Sequence, residues 1–262
     1  MNTSLMQESG ARSLPAEDPT GPLGALWRRP SMTVARFLLM SHLRSGWLWG
    51  EVVYVLALFA VFWNPFPGDQ PYFFTTGGAG LGALAVIGTA IMTRRALSAR
   101  VYLPLARLSS RDAIARGLVI ASSALRVPLY LLLLALVLIF HRIDNPSAPA
   151  LLIGTLGTLA NCVALCALTV ALSPPLATRL QRIFFLAWLV LALTPPFDLG
   201  PLPTLQAIVR GPVLPLAACY TLGGPPGVNP AALWAVPLVP VYSIALTLLA
   251  GLWLARRDLI LH

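Results

Sequence analysis

Three long stretches without a charged side chain limit what this chain can become. Residues 73–93, 150–172 and 231–255 contain no Asp, Glu, Lys or Arg. Apolar runs of roughly 18 or more residues match the ~30 Å hydrocarbon core of a bilayer, which a helix crosses in about 20 residues. The rest of the composition agrees. Only 10% of residues are charged, 57% are hydrophobic and the mean hydropathy is +0.78, whereas a soluble domain carries about a quarter charged residues. The expected fold class is therefore all-α, a polytopic membrane protein.

Six transmembrane helices are expected, at about 46–63, 73–93, 113–140, 150–172, 183–199 and 231–255. Residues 1–30, polar and without an apolar run, are expected to form a disordered cytoplasmic tail before a transmembrane domain over 31–262. The stretch 31–44 is too short and too charged to span. It suits an amphipathic helix lying on the inner surface of the membrane. The Pro-rich stretch 64–72 and residues 141–149 read as external loops. From Ala113 to Phe140 the third span covers 28 residues, about 42 Å at ~1.5 Å per residue. Its first turns should therefore project into the cytoplasm, and Pro128 should kink it. The stretch 200–230 is rich in Pro and Gly, so broken external helices are expected between spans five and six; whether they enter the membrane stays open.

Charge sets the orientation. All 18 basic residues are Arg. With six spans and both termini in the cytoplasm, fifteen Arg lie inside and two, Arg142 and Arg210, outside. Arg126 falls within span three. Basic residues concentrate on the cytoplasmic side of spans, so an even number of spans is expected. The absence of Lys reads as a coding bias. No basic patch interleaved with aromatics points to nucleic acid.

Glu51 and Arg126 are the charges expected well inside spans. A charge in hydrocarbon is costly unless it is paired or hydrated. The two either meet as an intramembrane polar pair between spans one and three, or each snorkels separately to the inner interface. Gly78 and Gly82 form a small-xxx-small pair that permits close helix packing, as do Gly154 and Thr158. The run Gly78-Ala-Gly80-Leu-Gly82 lacks the preceding strand, the full spacing and the Lys of a nucleotide-binding loop. Cys162 and Cys166 share one helix face but have no further ligands nearby in sequence, so they read as core residues. The three His are scattered at 42, 141 and 262. No HExxH or GxSxG pattern occurs, so catalytic, cofactor-binding and metal residues are expected to be absent.

The order of elements is informative as a whole. Phe37-Leu-Leu-Met-Ser-His-Leu-Arg44 precedes span one, and Tyr102-Leu-Pro-Leu-Ala-Arg-Leu-Ser-Ser-Arg-Asp112 precedes a long span three. Asn229-Pro230 stands before span six, and Arg256-Arg-Asp-Leu259 follows it. In this order and spacing the chain resembles the ABC-2 family of ABC-transporter permeases, over nearly all residues after 30. The resemblance implies a permease subunit of an ATP-driven exporter or flippase, located in the plasma (inner) membrane. It would form half of a translocation path for a lipophilic, amphipathic or polymeric substrate. It implies pairing with a second permease chain, identical or related, and with two separate ABC ATPase subunits. ATP and Mg would be bound by those subunits and no cofactor by this chain. The ATPase-coupling segment of the family would fall on Arg100, Tyr102, Leu103, Pro104, Arg107, Arg111 and Asp112, with the helix at 32–44 contributing. Membrane lipids complete the expected partners. The alternatives are a scaffold or assembly factor without transport and a heme-exporter-type permease. An intramembrane enzyme is a third, dependent on His141, Glu51 or Asp198.

Overall fold

The structure is a computed structural model, and it describes residues 30–65, 67–98, 111–144, 146–173, 177–178, 180–185, 211, 214–222 and 232–256. The described residues are mostly helical, and their only extended pairing is an isolated bridge between Gly68 and Ile143. Helix α1 runs over Pro30–Arg44 and α2 over Trp47–Phe62. Helix α3 is Gln70–Ala96, with a π-helical turn at Phe73–Gly77 near its start. Helices α4 (Arg111–Ile139), α5 (Ala148–Ala171), α6 (Leu214–Tyr220) and α7 (Ala235–Arg256) complete the bundle.

Among the described residues, four helices are long and apolar enough to cross a membrane: α3, Asp112–Ile139 of α4, α5 and Ala235–Leu254 of α7. The bent pair of α1 and α2 makes a fifth if it counts as one broken span. The outward faces support that reading. Trp49, Val53, Val61, Ile139, Leu152, Leu156, Val241 and Ile244 are each more than half exposed. An apolar surface of this extent is unsuited to water. The protein is a multi-pass helical membrane protein.

Two expectations change in detail. The first expected span corresponds to the 16 residues of α2, about 24 Å at ~1.5 Å per residue, one residue shorter at each end, and Gly46 separates it from α1. Gly46 has φ +76°, a left-handed conformation that glycine adopts without steric cost. Through it α1 meets α2 at 73°. The second span instead lengthens to Gln70. Asp69 caps that end, its Oδ1 accepting from the Tyr72 N–H at 2.8 Å. The helix α4 continues through the exposed Pro128 as one element. Of the fifth expected span only 183–185 are described, and the N-terminal tail lies outside the described residues, as do 99–110.

Neighbouring spans run antiparallel, so the bundle has two ends. At one, the end of α2 meets the starts of α3, α5 and α7 and the end of α4. Trp63, Phe73, Phe74 and Tyr130 are buried there. Trp63 and Phe73 lie 5.7 Å apart by ring centroids, and Phe73 and Phe74 5.2 Å, within the range of favourable ring pairs. The loops at this end pair through their backbones, Gly68 N–H donating to the Arg142 carbonyl and Asp144 N–H to that of Gly68. At the other end, α1 lies along the first half of α4. Val34, Ala35 and Leu38 pack there with Ile114, Leu118, Met92 and Ala167.

Helix α6 comes from the Pro- and Gly-rich stretch and packs on α5 and α7. Its Leu216 and Cys219 are buried. The Asn161 amide donates to the Leu216 carbonyl at 2.6 Å, so a side chain of α5 serves a backbone group of this short helix.

Candidate functional site at the buried Glu51–Arg126 pair

Glu51 stands one turn into α2, just past the bend. Arg126 lies near the middle of α4. Arg126 Nη2 donates to Glu51 Oε1 at 2.8 Å, and both side chains are buried. Two carbonyls take further guanidinium N–H groups: Ser122 O from Nε at 3.4 Å and Leu84 O from Nη1 at 3.3 Å. The pair thereby joins α2, α3 and α4. In an apolar surrounding its two opposite charges cancel, and that lowers the cost of holding each there.

Gly88 of α3 makes the space. A Cβ there would meet Glu51 Oε1 and, at 2.5 Å, Arg126 Nη2. Hence the pair occupies the volume that a side chain at 88 would fill. Thr89 and Ser122 add hydroxyls at the same level, Thr89 donating to Cys166 Sγ at 3.2 Å and Ser122 to Met92 Sδ at 3.4 Å. Together these residues form a polar layer. It divides the apolar core, with Ala85 and Leu129 in the cluster on one side and Met92 and Leu125 in the cluster on the other.

His42 of α1 approaches the same layer. It is 2% exposed, and its Nε2 lies 3.5 Å from Glu51 Oε1, longer than a good hydrogen bond. Neither ring nitrogen, nor Glu51 Oε2, has a hydrogen-bond partner among the described residues. His42 also lines a cavity of about 20 Å³ with Leu38, Ser41, Met92, Arg95 and Ala96, enough for roughly one water molecule. Beside it, sharing Ser41 and Arg95, opens a cavity of about 400 Å³.

The structure thus brings Glu51 and Arg126 together and adds two residues that sequence reading left out. Gly88 was only one of several glycines in its span. His42 carried a visible signal: Val34, Leu38 and His42 recur every four residues, and this face is the buried one. Gly78 and Gly82 face a side chain of α6. A Cβ at Gly78 would lie 2.6 Å from the Tyr220 ring, and one at Gly82 3.0 Å from the Tyr220 hydroxyl and from Leu165 Cδ1. Gly154 accommodates the Phe74 ring in the same way. These glycines seat aromatic rings as well as neighbouring helices. Cys162 and Cys166 are buried and free.

Of the expected coupling residues, Arg100, Tyr102, Leu103, Pro104 and Arg107 lie outside the described residues, and Arg111 opens α4. Asp112 pairs with Arg116 one turn on, Nη2 to Oδ2 at 2.6 Å. Its carboxylate also lies against Gly251 of α7, where a Cβ would collide with Oδ1. Asp112 therefore sits where the start of α4 packs on the last turns of α7.

Comparison with family models, curated proteins and solved structures finds no match to this chain.

Proposed function

We propose that this chain is the permease subunit of an ATP-driven exporter or flippase, forming half of a path for a lipophilic, amphipathic or polymeric substrate. In this reading it has six spans with both termini in the cytoplasm of a plasma (inner) membrane. It pairs with a second permease and two ABC ATPase subunits. The observation that carries the proposal is the packing of α1. Bent 73° from α2, it lies on the first half of α4, the long helix that directly follows the basic segment 94–111 in the chain. At Gly117 the two helices approach closely, and a Cβ there would lie 2.6 Å from Val34 and 3.0 Å from the Ser31 carbonyl.

A partner that pushes on that basic segment moves α4 and α1 as one body. The Glu51–Arg126 bond then carries the displacement to α2, and the Leu84 contact carries it to α3. The motion is mechanical, so the chain needs no nucleotide site of its own. The fifteen-to-two Arg asymmetry supports placing this end in the cytoplasm, where an ATPase would act.

The test is purification of the tagged chain from its native membrane in mild detergent. The expected result is stoichiometric recovery of a subunit with Walker motifs, and ATP hydrolysis that falls at least severalfold with Arg107→Glu or Arg111→Glu. A chain recovered intact with no ATPase and no ATP-dependent transport would be a scaffold, and the proposal would be wrong.

A further inference from the structure

The cavity of about 400 Å³ at the bend is lined by Phe37, Met40, Ser41, Arg44, Ser45 and Arg95. Its size falls within the ~300–1,000 Å³ range of small-ligand sites. Two arginines line it from different elements: Arg44 ends α1, and Arg95 lies in the last turn of α3. The lining includes no acid. Glu51, one turn into α2 beyond the bend, is engaged with Arg126. Arg95 is held in place, its Nη1 donating to Ser45 Oγ, which itself donates to the His42 carbonyl at 2.6 Å. The bend at Gly46 thus positions one of the two cations.

The remaining wall is apolar. Phe37 and Met40 line the cavity yet are 47% and 44% exposed. Leu43 and Trp47, also exposed, continue this surface along α1 and into α2. A ligand that satisfies both halves has a compact anion at one end and hydrocarbon at the other. We propose that this cavity binds the phosphate of an anionic phospholipid of the surrounding bilayer, with its glycerol and upper acyl chains against Phe37 and Met40. Arginine suits this task because its planar donors match phosphate oxygens in pairs. Such a lipid would lie against the bend and favour one angle between α1 and α2. The proposal does not depend on the ATPase reading.

The experiment uses the full chain in detergent, exchanged against an equimolar mixture of phosphatidylglycerol and phosphatidylcholine, with retained lipid measured by mass spectrometry. Retained phosphatidylglycerol should exceed phosphatidylcholine about thirtyfold, the scale expected of two basic residues at about 1 kcal/mol each at a membrane surface. In Arg44→Gln/Arg95→Gln that preference should fall to near unity. Arg36→Gln removes an exposed charge of α1 outside the cavity and should leave the preference intact. Should the double variant fail to fold, Arg44→Gln alone, which spares the Arg95–Ser45 bond, should lower the preference severalfold. No preference in the native chain, or an unchanged one in the Arg44 variants, would overturn the proposal. So would displacement of the lipid by millimolar inorganic phosphate, which would mark a site for free anions.

Discussion

The two ends of the bundle are built from different side chains. At the aromatic end Trp63, Phe73, Phe74 and Tyr130 interlock, and the flanking loops are pinned by backbone hydrogen bonds. At the other end the cluster holds no aromatic residue; it is made of Ala, Val, Leu, Ile and Met, with Ala96, Ala115, Ala121, Ala167, Ala171 and Ala250 among them. Large rings seated in glycine notches resist sliding. Small aliphatic side chains allow close approach and small shear displacements. The bend, the ion pair and both cavities lie at or beside this second end. The contrast suggests a division of labour, with one end anchored and the other able to take up movement. The polar layer at Glu51 and Arg126 is the boundary between them.

That contrast can be broken experimentally, and the largest effect should come from the boundary itself. Arg126→Met leaves a buried carboxylate unpaired and should cost about 3–5 kcal/mol. It should appear as poor recovery and a lower melting temperature in detergent. Adding Glu51→Leu should restore most of the loss, and a double variant as unstable as the single one would show that the pair is not a unit. Trp63→Ala should cost a similar or slightly smaller amount, about 3–5 kcal/mol, through the cavity it leaves. Neutralising Glu51 should give no rescue there, and any rescue would deny that the two ends are separate. The smallest effect belongs to the bend. Gly46→Ala puts a Cβ on a left-handed residue and should cost about 1–2 kcal/mol. Its melting temperature should shift least of the three, while susceptibility of α1 to proteolysis rises.

Much of the fold could be read from residue order, because hydrocarbon thickness and apolar run length constrain each other. Spans two, three, four and six appear close to their expected limits. The break between the helix at 31–44 and the first span was also legible, but not the 73° bend through Gly46, an angle between two helices that no local pattern encodes. The candidate site was half legible. Glu51 and Arg126 stood out because ionisable residues are rare within apolar runs, which makes each a suspect and the other its natural partner. Gly88 could not be distinguished from Gly78, Gly80 or Gly82, since what matters is which side chain arrives from another helix. His42 was readable from the four-residue spacing of Val34, Leu38 and His42, had that face been weighed as buried rather than membrane-bound. Tyr220 over Gly78 was beyond reach, because it comes from a segment more than 130 residues away in the chain.

The central claim is that the bundle end bearing α1 and the start of α4 receives movement from an ATPase. Site-specific photo-crosslinking tests it directly, with benzoylphenylalanine introduced at Arg107 or, at the aromatic end, at Asp144. In the complex purified from its native membrane, the position-107 probe should capture a subunit bearing Walker motifs and the position-144 probe should not. Capture of that subunit only from position 144, or from neither position, would contradict the account.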